Sequence, residues 1–170
     1  MTRLAVAVRP PPPVVEVLRA LPRPASDGVT WALPEQWIVK LRPLGHVDLR
    51  LVDRLVEALA LDLEGATPVA CRLGPRTRRL AGQWLGVPVE GLDELAAAVF
   101  DATTPIVPVT HPQPFQADLV LARGRVPSEL AGRPVSATWV ADEVVLVADR
   151  SAPGRPRLVD LAAIPLTASP

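Results

Sequence analysis

A single cysteine, Cys71, in a chain of 170 residues excludes an internal disulfide, and two separated histidines, His46 and His111, leave too few ligands for a zinc site. Net charge is also missing: 18 basic residues balance 18 acidic ones, so no overall field draws the chain to nucleic acid or to an anionic membrane. Any basic site must therefore be local. Long apolar runs are absent as well. The first one, RLAVAV, ends at a run of prolines and is too short for a secretory h-region or a membrane span. These absences lead us to expect a soluble, cytoplasmic protein with no membrane partner, no metal and no cofactor. Lysine is nearly absent. Lys40 stands alone beside seventeen arginines, a bias that fits GC-rich bacterial coding better than nucleic-acid binding and that makes the place of Lys40 informative.

What is present is enough for a core. Apolar residues make up 49% of the chain, sufficient for one domain over 1–170 or two small lobes sharing a sheet. RLAVAV reads as a strand and PPVVEVLRAL as a helix entered through proline, with Val14, Val15, Leu18 and Leu21 on one face. VTWAL and WIVKL are short β-rich runs separated by Pro34. A second helix follows in HVDLRLVDRLVEALALDL, with Leu51, Leu55, Val56 and Leu59 at helical spacing and Asp48 as N-cap. The second half repeats this order: strands PVACRL and QWLGVPV around the loop GPRTRRLAG, helix GLDELAAAVFDA, strand ADLVLARGRV. The strands DEVVLVAD and PRLVDLAAIPL close the chain after a glycine–proline turn. Cys71 alternates inward in its strand. The expected class is α+β, with a mainly antiparallel sheet and outer helices.

Five segments in order resemble the 2H phosphoesterase superfamily, in particular its bacterial 2'-5' RNA ligase and RNA 2',3'-cyclic phosphodiesterase branch. They are RLAVAV with its helix, GVTWALPEQWIVKLRPLGHVD, QWLGV, PFQADLVLARGRV and DEVVLVADRSAPGRPRLVDLAAIPL, together nearly the whole chain. The resemblance implies two pseudo-symmetric lobes around a central cleft. It also implies one His-x-Thr/Ser motif on a strand of each lobe. The frame places the first at Ile38, Val39 and Lys40 and the second at Asp118, Leu119 and Val120, so neither histidine and neither hydroxyl is present.

That loss matters chemically. Opening a 2',3'-cyclic phosphate needs one group to take a proton from the attacking oxygen and another to give one to the leaving oxygen, which two histidines near pKa 6.5 can share. Strand alternation predicts that Ile38, Lys40 and Arg42 share the cleft face of one strand, and Asp118, Val120 and Ala122 that of the other, with Val39 and Leu41 behind. Lys40 and Asp118 are expected to pair across the cleft. His111 lies seven residues before Asp118, roughly 20 Å of extended chain, and reaches the cleft only if its loop folds back. The arginines of GPRTRRLAG read as a solvated hairpin loop, and the four tryptophans as core or cleft wall.

Three readings follow. In the first, the site is degenerate and the cleft keeps an anionic ligand, a nucleotide or an RNA terminus, through Lys40, Arg42 and Asp118. In the second, the same three residues run a modified phosphodiesterase reaction. In the third, the cleft has collapsed onto Ile38, Val120 and a Lys40–Asp118 pair, and the chain serves as a protein-interaction module.

Overall fold

The computed structural model describes residues 1–81, 83–153, 155 and 157–167. Gly154 and Pro156, which belong to the glycine–proline turn expected from the sequence, lie outside them.

Strand β1 (Thr2–Val8) is buried on both faces, with Leu4, Val6 and Val8 in the main core and the small Ala5 and Ala7 on the other side. Helix α1 (Pro12–Arg19) opens on proline, which needs no N–H partner there, and buries Val14 and Leu18. Strands β2 (Val29–Trp31) and β3 (Val39–Val47) flank a short turn at Pro34–Gln36. Asp48 caps a single 3₁₀ turn by accepting from the Arg50 amide, and α2 (Val52–Asp62) continues it, burying Leu55 and Leu59.

The second half holds β4 (Val69–Leu73), β5 (Arg78–Leu80), β6 (Trp84–Glu90), α3 (Asp93–Thr103), β7 (Asp118–Gly124), β8 (Ala137–Ala141), β9 (Glu143–Asp149) and β10 (Leu158–Pro165). Asp93 and Glu94 sit in the first turn of α3, where carboxylates complement the helix dipole. Periodicity missed two strands: β5, inside the supposed arginine loop, and β8. Cys71 on β4 faces the core, where burial pushes its thiol pKa up.

The strands form one curled sheet in the order β10-β9-β1-β3-β7-β6-β4-β8, with β2 added on β7 and β5 on β6. Each of these strand pairs is antiparallel, as the sequence suggested. The sheet path divides into two sets of four strands that meet at β3 and β7. One face carries the main core beneath the helices, α2 packing on α3 and β10, and α3 on β3. The other face holds only a small apolar cluster of Ala7, Ile38, Val145 and Val147 and is otherwise the floor of a cleft.

The β3–β7 junction rests on one rung, Val39 opposite Leu119, both fully buried in the core. One residue past each motif segment the pairing skips a residue. Against β1, Lys40 and Arg42 face Ala7 and Val6, leaving Leu41 as the extra residue; against β6, Val120 and Ala122 face Gly86 and Leu85, leaving Leu121. An extra residue interrupts alternation, so side chains beyond it change face.

At its end β7 is crossed closely by the Gly28–Val29 backbone. Gly124 takes φ +95°, and a Cβ there would run into the carbonyl oxygen of Gly28. Gly124→Ala is expected to cost more than about 2 kcal/mol in urea denaturation, through left-handed strain and the clash together; a loss under about 0.5 kcal/mol would show that β2 docks loosely.

Candidate functional site

With Val39 opposite Leu119, antiparallel register sets Ile38 level with Val120 and Lys40 level with Asp118. All four line an open cleft of about 1310 Å³. The two motif segments thus face the same space from adjacent strands, where the sequence frame put them.

The bulges alter the rest of the expected set. Arg42 borders the cleft but does not open onto it beside Lys40. It lies opposite Val6, on the core side, only 3% exposed. Its guanidinium donates to Thr103 Oγ1 at 2.7 Å and to the Val107 carbonyl, and stands 5.2 Å from the centroid of Phe100. Arg42 therefore ties the C-terminal end of α3, and the loop that leaves it, to β3. Ala122, also expected on the cleft face, packs instead in the main core opposite Leu85. The next residue, Arg123, takes the cleft position instead, with its guanidinium 5.2 Å from the centroid of Trp84.

The expected Lys40–Asp118 pair does not form. Asp118 is held by Arg78 of β5, whose Nε donates to Oδ1 and Nη2 to Oδ2, both at 3.0 Å, in a two-pronged pair. Arg78 lies opposite Gly86, which lies opposite Val120, so its side chain crosses β6 to reach Asp118 on β7, while Leu80 packs over the glycine. The Asp118 side chain is 10% exposed. Burial raises its pKa, and the hydrogen bonds and charge of Arg78 only partly offset this.

Among the described residues Lys40 makes no ion pair or hydrogen bond. Crowding by the cleft walls lowers its ammonium pKa, Arg123 and Arg3 push the same way, and Asp149 opposes them. Arg3 and Asp149 are cross-strand partners at the end of the cleft. Burial would raise the Asp149 pKa, but hydrogen bonds from Ser151 and the charges of Arg3 and Lys40 bring it below the ordinary range. Besides the buried Arg42, the cleft is thus lined by Arg3, Lys40, Arg78, Arg79 and Arg123 against two carboxylates, Asp118 and Asp149. In a chain with no net charge, this is a local positive field.

The segment after α3 folds back along the cleft, so His111, Pro112 and Phe115 line it. His46 stays exposed at the end of β3, opposite Arg3. No group of three or more His, Cys, Asp or Glu that could hold a metal occurs among the described residues, and no helix among them is long and apolar enough to cross a membrane.

No protein-family model and no curated protein matches the chain. Solved structures do. TT0787 of Thermus thermophilus superposes with a TM-score of 0.85 at 20% identity, with 98% of each chain covered. LigT of E. coli complexed with 3'-AMP gives a TM-score of 0.78 at 22% identity, again over 98% of each chain. The MHV ns2 PDE domain gives 0.56 at 11% identity, over 95% of this chain and 100% of that one. The chain thus shares its fold with LigT and with a structure described as a phosphoesterase.

Two outcomes check this geometry. Arg42→Ala strands the Val107 carbonyl and empties a packed site, and should cost about 3 kcal/mol in denaturant unfolding; a neutral substitution would contradict a buried tether. The Asp118 carboxyl should titrate above 3.8, its ordinary value, by NMR, and higher still in Arg78→Gln, which removes the groups that lower it. The sign follows: with its folded pKa raised, Asp118 binds its proton more tightly when folded, so its contribution to stability falls as pH rises from 3.8 through that pKa. Titration below 3.8 would mean that Arg78 outweighs burial.

Proposed function

We propose that this chain is a catalytically degenerate protein of 2H phosphoesterase fold that keeps its cleft to bind the phosphate of a nucleotide or an RNA terminus. The exchange at the two leading motif positions carries this reading: Ile38 has no group to titrate, and Asp118 is engaged by Arg78. General acid–base catalysis contributes about 10² to 10⁴-fold per group, and neither position offers a free one. Anion binding needs less. Lys40, Arg3 and Arg123 line an open cleft without ion-pair partners among the described residues, and LigT has been crystallised with 3'-AMP and with phosphate. The open cleft, with no Lys40–Asp118 contact to seal it, weighs against a collapsed interaction module.

A second reading keeps one specific support. The Lys40 pKa is lowered and the Asp118 pKa raised, the directions that an acid–base pair would need. In that reading Asp118 is the base and Lys40 the acid, with Arg42 excluded by its burial.

The test is hydrolysis of an oligonucleotide ending in a 2',3'-cyclic phosphate, run beside calorimetric titration with adenosine 3'-monophosphate. We expect no turnover above the blank, and binding weakened about tenfold in Lys40→Ala, the order expected for one charge-assisted contact. Turnover abolished by both Lys40→Ala and Asp118→Ala would establish the second reading. Neither turnover nor binding would remove both and leave a protein partner as the remaining class.

A further inference from the structure

Of the tryptophan and phenylalanine side chains that line the cleft, Trp84, Phe100 and Phe115, only Trp84 is exposed; the two phenylalanines are half-buried. Trp37 and Trp139 are buried at 1% and 9% exposure, whereas Trp84 is 41% exposed and lines the cleft. Exposing an indole forfeits hydrophobic burial, about 25 cal/mol for each Å² left in water. Trp84 begins β6, opposite Leu80 in the β5–β6 hairpin, so its backbone is fixed by the sheet while its ring stands at the cleft rim. Arg123 lies against it, placed there by the bulge at Leu121. Nucleobases stack on indole rings and on guanidinium planes alike, and the two together make a broad, fixed surface of both kinds. The other apolar lining offers less area: Ile38 and Val147 are only 7% and 2% exposed, Phe115 packs half-buried against the core, and Phe100 is engaged by Arg42.

We propose that Trp84 and Arg123 form a nucleobase platform at one end of the cleft, so that the ligand is a nucleotide whose base lies on this pair and whose phosphate reaches Lys40. This rests on the phosphate-binding reading above and adds to it the base. Arg123 and Lys40 line the same cleft, so both parts of one nucleotide lie within it. No bond is made or broken; the step is binding alone.

The experiment compares adenosine 5'-monophosphate with ribose 5-phosphate, which differ only in the base, by calorimetric titration on the full chain. The nucleotide should bind about tenfold more tightly, the order expected for one stacked base. Trp84→Ala should erase that difference while leaving ribose 5-phosphate binding unchanged, and Trp84→Phe should restore most of it. A thermal midpoint within a few degrees of the parent would confirm that the variants fold, as an exposed position leads us to expect. Equal binding of the two probes, unchanged in Trp84→Ala, would overturn the platform and leave the phosphate site standing. Binding of neither probe would overturn both.

Discussion

The single rung between Val39 and Leu119 holds the site together. It is where the two halves of the sheet meet, and both of its side chains are fully buried. Because strand side chains alternate, burying this pair obliges Ile38, Lys40, Asp118 and Val120 to face the other way, into the cleft. A slip of one residue would send all four into the core, including a lysine and a carboxylate whose burial without partners costs several kcal/mol each. The core that stabilises the junction thus fixes which residues the cleft presents.

Just past the rung, each strand carries an extra residue, Leu41 in β3 and Leu121 in β7. On β3 the change of face buries Arg42, which then fastens Thr103, Phe100 and Val107 and so anchors the start of the segment that lines the cleft as far as His111 and Phe115. On β7 it buries Ala122 and turns Arg123 outward onto Trp84. A bulge in one strand has given the fold a tether, and its counterpart has given the cleft a cation.

These two residues also mark where the sequence stops being legible. Segment order, hydrophobic periodicity and the frame around Ile38 and Asp118 led to the right class of sheet and the right cleft positions, because they rest on patterns several residues long. A bulge inserts one residue without changing composition, so strict alternation carried Arg42 and Ala122 to the wrong face. Arg78 was hidden differently. TRRL is too short and too polar to read as a strand, yet as the edge strand β5 it sends Arg78 across β6 to Asp118. The return of His111 to the cleft depends on tertiary packing of a proline-rich segment, which has no local signature. The chemistry that remains is a cation-lined cleft in a neutral chain, with one carboxylate matched by Arg78 and Lys40 left without a partner among the described residues.

Because Lys40 is the only lysine in the chain, it can be followed without interference from any other side-chain amine. Its rate of acylation by an amine-reactive reagent, read by peptide mass spectrometry that separates it from the N-terminus, measures directly whether the cleft holds an anion at the motif position. The account predicts that adenosine 3'-monophosphate slows Lys40 acylation in a saturable manner while N-terminal acylation is unchanged. A Lys40 rate that stays constant at millimolar nucleotide would contradict it.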